Sequence, residues 1–243
     1  MDPRFRINLI SATPNPQQAV YAAMHQDYFE GYVFDEIGSE SWPNETRAGE
    51  IAVKRLLKGN RGHFGSVEHP QIILATGGFP HSVMQQARTH RTGVSFDVQS
   101  MRYTGERICR AARGEIALED VFYLRPVGSY SDRQGKRYSY TEDNRAIDLE
   151  MCRRSAIRYA ELLDLGHAEE HARGILAFDF RQNFVVSFNL RSAFHFLDLR
   201  AKLDAQLEIR AFCDLLLPHI SAWAPQITEW YIENRLGKAR LSP

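Results

Sequence analysis

The chain has almost no excess charge. Its 30 Lys and Arg balance 30 Asp and Glu, for a formal net charge of zero. Long-range attraction to nucleic acid or to an anionic membrane is therefore not a property of the whole chain. Any anion site has to come from local clustering of arginines. Cysteine is scarce: Cys109, Cys152 and Cys213 lie far apart, with no CxxC pair and no even set. That argues against a zinc site or a disulfide framework and for a reducing compartment. No apolar run approaches the length of a membrane span. The opening MDPRFRINLISATP lacks the apolar stretch of a signal peptide, so a cytoplasmic location is expected. Repeats and low-complexity segments are missing too. What is there is an ordinary globular composition, 44% hydrophobic and 25% charged over 243 residues. That length suits a sizeable core. With no clean linker, residues 1–243 are expected to form a single domain.

Arg4 to Ala12 alternates polar and apolar residues and predicts an opening strand. Asn15, Pro16 and QQAVYAAMHQDY predict an N-capped helix. After a turn-rich loop from Gly38 to Asn44, ETRAGEIAVKRLLKGN from Glu45 predicts a second helix. Gly59 to Gly65 reads as a loop. QIILAT predicts a strand and HSVMQQARTH a short helix. From Glu106 to Lys136 the pattern yields one strand, ALEDVFYLRPV, and a loop, GSYSDRQGKR. Glu142 to Leu165 has long helical spacing, and His167 to Ala177 reads as another helix. Asn183 to Leu217 reads as helical and unusually apolar, with ITEWYIENRLG as a last helix after Pro218. The expected class is α+β: a small, mainly antiparallel sheet packed with several helices, with a long buried C-terminal helix.

Three constellations carry chemistry. In QQARTHRTGVSFDVQSMRYTG, Gln85 to Gly105, the cations Arg88, His90, Arg91 and Arg102 crowd around Gln86, Gln99, Ser100 and Tyr103, with one carboxylate, Asp97. A solvated basic loop is one reading. Interleaved Phe96, Val98, Met101 and Tyr103 instead predict a partly buried segment. Buried arginines need partners, and Asp97 can serve only one. A phosphate or carboxylate, gripped through the bidentate guanidinium fork, would serve the others. The amides suit a nucleobase edge. In RGHFGSVEH, Arg61 to His69, the spacing of His63, Glu68 and His69 is not that of HExxH. It reads as a polar loop or as a ligand loop, where Gly62 and Gly65 admit close backbone approach. Phe188 to Arg210 reads as a core helix that nevertheless carries Arg191, His195 and Arg200. At about 100° per residue Arg191 and His195 share a face and Arg200 points the other way. Sites shared between subunits are the expectation.

Together these residues resemble the flavin-dependent thymidylate synthases. THRTGVSFDVQSMRYTG is similar to that family's Arg-His-Arg, Ser, Arg-Tyr signature. GHFGSVEH, HARGILAFDF and FNLRSAFHFLDLRAKLDAQLEI resemble further blocks in the right order, from Gly62 to Arg210. The resemblance implies reductive methylation of dUMP to dTMP. The one-carbon unit would come from 5,10-methylenetetrahydrofolate and the reducing equivalents from NADPH through FAD, in a homotetramer with shared sites. Matched by position, it implies dUMP contacts at Gln86, Arg88, Thr89, Gln99, Ser100, Met101, Arg102 and Arg173, with Arg102 on the phosphate. Arg200 matches the catalytic arginine at the uracil ring, where a fixed cation stabilises charge developing on N3. FAD contacts are implied at His63, Gly65, Ser66, Thr89, His90, Arg91, Asn189, Arg191 and His195, and no metal is implied.

The chain departs from the pattern at Thr89, where the family has the first arginine. Arg88 precedes it but, continuing a helix, would point elsewhere. Asp97-Val98 replaces an Asn-Glu, one residue is added between Arg91 and Ser100, and Asp204 stands for a His. Two other functions stay open: C5 methylation of another pyrimidine nucleotide such as UMP, and non-catalytic nucleotide or RNA binding. Neutral charge and the lack of an exposed basic–aromatic stripe disfavour the last.

Overall fold

The computed structural model describes residues 1–238 apart from positions 60 and 133. β1 (Arg6–Ala12) leads to α1 (Pro16–Gln26). Proline in the first turn has no N–H to leave unsatisfied, so the helix starts there. Asn15 precedes it in the left-handed conformation, and its side chain makes no capping bond. α2 (Glu45–Ala52) is capped by Asn44, which accepts from the Arg47 N–H, and continues as a π-helical turn over Val53–Leu57. β2 (Gln71–Pro80), α3 (His81–Ala87), β3 (Val94–Val98), α4 (Met101–Thr104) and α5 (Glu106–Ala112) follow. β4 (Gly128–Ser131) and β5 (Arg137–Tyr140) form an antiparallel hairpin, with Gly128 opposite Tyr140. α6 (Glu142–Asp164) opens with a capping box in which the Thr141 hydroxyl and the Asn144 amide accept each other's backbone N–H. α7 (Glu169–Ala172), β6 (Arg181–Asn189), α8 (Leu190–Arg200), α9 (Leu207–Trp223) and α10 (Pro225–Asn234) complete the chain. The main sheet has the order β1-β2-β6-β3. The class is α+β, small antiparallel sheets packed with helices, ending in long C-terminal helices.

Two compact units are built from interleaved segments. The first takes Met1–Arg6, Thr76–Thr89 and Asp97–Phe184; the second takes Ile7–Ala75, His90–Phe96 and the chain from Val185 on. The first unit's core lies where α5 packs on α6, with Ile108, Phe122, Ala156 and Tyr159 fully buried. In the second, α8 packs on α9. Phe194 stacks on Tyr231 of α10 with centroids 4.3 Å apart, and Phe196 meets Phe212 at 5.5 Å. Each such buried ring contributes on the order of 1.5–3 kcal/mol. Buried Gln17 of α1 accepts from the backbone N–H of Gln226 and Ile227, which ties off the start of α10.

Several expectations are corrected. ALEDVFYLRPV is not a strand: it holds a 3-10 turn, Leu118–Asp120, and a single bridge from Phe122 to Phe180. Its acids are occupied instead, Glu119 with Arg145 and Asp120 with Arg4. GSYSDRQGKR is the β4–β5 hairpin rather than a loop, with position 133 outside the described residues. Tyr130 and Tyr138 pair across it at 5.8 Å. The helix expected from His167 to Ala177 is only α7 plus a 3-10 turn, Arg173–Ile175. The long helix from Asn183 to Leu217 divides into β6, α8 and α9. Phe184, Val186 and Phe188 are buried at every second position, the period of a strand. α9 then runs through Pro218, so the last helix begins at Pro225.

Candidate active site

In the first unit, α3 stops at Ala87 and Arg88 occupies its C-cap. Its backbone is still helical there, and its N–H donates to the Met84 carbonyl at 3.0 Å. Arg88 lines a cavity of about 440 Å³ with Gln85, Gln99, Met101 and Arg173. Thr89 does not line that cavity. Thr89 turns back, its hydroxyl donating to the Gln86 carbonyl at 2.8 Å. Arg173 arrives on the 3-10 turn after α7. Gln99 is oriented by accepting the Asn183 N–H at 3.0 Å. His81 lines the same cavity, held by Gln182 at 2.8 Å and stacked on Phe180. Two guanidinium groups, three amides (Gln85, Gln99 and Gln182) and the apolar Met84, Met101 and Phe180 are a set able to take an anion at one end and a flat polar ring at the other.

The reason given for this cluster from sequence needs correcting. Arg88, Arg91 and Arg102 are exposed, and Tyr103 is 81% exposed. Of the basic residues in that run only His90 is buried. The arginines are held out toward solvent, so burial does not demand an anion for them. Ser100 caps α4 through its carbonyl, which accepts from Tyr103 and Thr104 N–H. Arg102 lies 5.5 Å from the Tyr103 ring centroid.

In the second unit, β3 is entered through a tight turn at Gly93, where φ is 65°. A Cβ there would lie 2.2 Å from Asn189 Nδ2 and 2.3 Å from Ser192 Oγ, so only glycine fits. The turn is pinned to the start of α8. Asn189 N–H donates to the Gly93 carbonyl at 2.9 Å and Ser192 Oγ donates to the Thr92 carbonyl at 2.6 Å. Asn189 Oδ1 caps α8 by accepting from Ser192 N–H. His90 is delivered against that helix.

His90 is buried, and its Nε2 accepts from Arg200 Nε at 2.9 Å. Its ring packs 4.8 Å from Phe196 and 5.2 Å from the His195 ring. With Nε2 accepting, the proton belongs on Nδ1. That atom is buried and has no partner among the described residues. Burial first, then the charges of Arg200 and His195, push the His90 pKa down to about 4. The ring is therefore neutral at neutral pH and offers one unused donor. Burial also lowers the Arg200 pKa.

Arg191, at the other end of α8, donates to Glu68 at 2.5 Å and lies over the Phe64 ring. The two arginines of one helix thus meet different partners, Glu68 and His90. His195, expected beside Arg191, has its ring against His90. His63, Gly65 and Ser66 line a cavity of about 560 Å³ with Tyr28, Arg55 and Arg61. Gly93 had a local signal in the sequence, a Thr-Gly pair before an alternating run. His81 and Gln182 had none, since they meet across the fold.

A model of the family described as thymidylate synthase complementing protein (Thy1) matches residues 8–226. A flavin-dependent thymidylate synthase of Halobacterium salinarum is 33% identical over 98% of this chain and all of its own length. One of Haloarcula marismortui is 32% identical over 98% of this chain and 99% of its own. Among solved structures, a UMP/dUMP methylase, PolB, from Streptomyces cacaoi bound with 5-Br dUMP superimposes with a TM-score of 0.73 at 20% identity, covering 98% of this chain and 97% of its own. That likeness speaks for the fold. The match over nearly the whole chain and the relatives above 30% identity place this protein in the flavin-dependent thymidylate synthase family.

Proposed function

We propose that the protein converts dUMP to dTMP by reductive methylation, with 5,10-methylenetetrahydrofolate as one-carbon donor and NADPH as reductant through FAD. The reading includes a cytoplasmic homotetramer of single-domain chains with shared sites. The observation that carries it is the cavity joining Arg88, Gln99, Met101 and Arg173 in a chain of this family. In this reading Arg173, which lines the cavity, and Arg102, which lies outside its lining, grip the nucleotide phosphate, and Arg88 supplies the charge that Thr89 lacks. Gln86, Gln99, Ser100 and Met101 wrap the rest.

His63, Gly65, Ser66, Thr89, His90, Arg91, Asn189, Arg191 and His195 are the residues proposed to hold the flavin. They suit it in kind: Arg91 is an exposed cation that follows His90 in the chain, and Arg191 adds a second at the first turn of α8. His90 Nδ1 adds a buried donor with no partner among the described residues. Bound there, the flavin supplies the redox chemistry, passing reducing equivalents from NADPH to the one-carbon unit. Arg200 is the proposed catalytic residue. Its guanidinium, fixed by neutral His90, stabilises negative charge on the pyrimidine as N3 gives up its proton.

A second reading is C5 methylation of UMP. Thr89 in place of the family arginine motivates it, and the similar fold of PolB has been solved with 5-Br UMP as well as 5-Br dUMP. The test is to load the purified protein with FAD, supply methylenetetrahydrofolate and NADPH, and quantify methylated product from dUMP and from UMP. Turnover of dUMP alone supports the first reading. Equal or preferred turnover of UMP replaces it with the second. Formation of neither product contradicts both.

A further inference from the structure

A second cavity in the first unit, about 390 Å³, is lined by Arg4, Arg6, Arg107 and Arg181 together with Gln99 and Asn183. Two of the four arginines are neutralised. Arg4 pairs with Asp120 at 2.8 Å. Arg181, 3% exposed, pairs with Asp2 at 2.6 Å and donates to the Gly78 and Glu119 carbonyls. Arg6 and Arg107 have no carboxylate within ion-pair distance among the described residues. Among the described residues Arg107 Nε is buried without a hydrogen-bond partner, and its Nη2 reaches the Met101 sulfur at 3.9 Å. A desolvated guanidinium without an anion is costly to keep.

The amides add donors of one kind. Gln99 Oε1 accepts the Asn183 N–H and Asn183 Oδ1 accepts the Gly78 N–H at 2.9 Å. Both carbonyl oxygens are thereby used, which fixes each amide and turns its NH2 into the remaining group. Glycine makes room for the cations. A Cβ at Gly77 would lie 2.7 Å from Arg6 Nε, and one at Gly78 would lie 2.2 Å from the Arg4 carbonyl. Asp120 lines the cavity too, but Arg4 occupies it; what remains are donors, with desolvated Arg107 and exposed Arg6 the two cations without a carboxylate partner among the described residues.

We propose that this cavity binds a phosphate-class dianion, free or as the monoester of a phosphorylated metabolite, between Arg6 and Arg107 with the Gln99 and Asn183 amides as further donors. Two uncompensated charges match a dianion better than a monocarboxylate, and the acceptors of a phosphate can meet every donor present. The site is separate from the cavity of Arg88 and Arg173, and its assignment does not depend on the substrate proposed there. Gln99 lines both cavities, so an occupant of one bears on a residue of the other.

The test titrates FAD-loaded protein calorimetrically with inorganic phosphate, glycerol phosphate or acetate, at a pH where phosphate is a dianion. The variants are Arg6→Met, Arg107→Met and, to remove the other anion cavity, Arg173→Met. Phosphate binding should survive Arg173→Met and weaken roughly tenfold or more in each of the other two, as expected for losing a charge-assisted hydrogen bond. Glycerol phosphate binding tighter than phosphate identifies a phosphorylated metabolite, and equal binding identifies free phosphate. In phosphate-free buffer Arg107→Met should melt no lower than the parent, since it removes an unpaired desolvated charge. Phosphate affinity unchanged by Arg6→Met and Arg107→Met, acetate binding as well as phosphate, or a clear drop in Tm on Arg107→Met without phosphate would overturn the proposal.

Discussion

Arg200 Nε donates to His90 Nε2 across 2.9 Å, joining the last residue of α8 to a residue three positions before Gly93. The bond sets the His90 tautomer, leaves its Nδ1 proton without an acceptor among the described residues, and orients the guanidinium of Arg200. Their proximity also makes a second positive charge on the ring unfavourable.

His90 should therefore titrate near pH 4, well below the ordinary histidine value of about 6.5. The sign of the stability effect follows. Between those values the unfolded chain binds a proton at His90 and the native chain does not, so stability falls as pH drops from about 6.5 toward 4. Histidine NMR titration of the native protein checks the value. Thermal melts of His90→Gln should show a shallower loss over that window. A native His90 that titrates near 6.5 contradicts the geometry.

Gly93→Ala places a side chain at positive φ and against Asn189 and Ser192. The left-handed backbone alone costs about 1 kcal/mol, and the displaced cap about 1 more. A fall in Tm of several degrees is expected, with loss of flavin retention. A variant that melts and binds FAD as the parent does would show that the turn can relax.

Asp198, 3% exposed, accepts from Tyr231 OH at 2.9 Å and pairs with Arg235 at 3.0 Å. Burial pushes its pKa up, while Arg235 and Tyr231 oppose that. Asp198→Ala removes the acceptor of both groups and should destabilise by about 2–4 kcal/mol. Urea unfolding reads this directly, and a loss under 1 kcal/mol, roughly one ordinary hydrogen bond, goes against it.

Arg173→Ala should raise the KM for dUMP roughly 10- to 100-fold, the scale of one charge-assisted contact. The flavin spectrum should be unchanged. Steady-state kinetics decide it: an unaltered KM removes Arg173 from the nucleotide site.

Much of the fold was legible where a local signal was strong. Pro16 before an amphipathic run, Asn44 before Glu45 and Thr141 before the long α6 all mark helix starts that packing did not override. The stretch from Phe184 to Phe188 was not, because a short apolar run reads equally as buried strand or core helix. Its sheet neighbours decide, and they are distant in sequence. Residue types at the site were legible for a similar reason: arginine, histidine and amide side chains announce their chemistry. Their environments did not. Arg88, Arg91 and Arg102 turned out exposed, and the cavity that Arg88 lines is completed by Arg173 and Phe180, distant in sequence. Arg200 and His90 meet across 110 positions, a pairing set by packing alone.

The most direct measurement is dTMP formation by FAD-loaded wild type and by Arg200→Ala, given dUMP, methylenetetrahydrofolate and NADPH, with bound flavin checked by its visible spectrum. The account predicts dTMP from the wild type and a loss of roughly 10²–10³-fold or more in the variant, the scale of removing one preorganised charge-stabilising group, with flavin still bound. Normal turnover by Arg200→Ala, or a wild type that takes up no flavin and makes no dTMP, would contradict it.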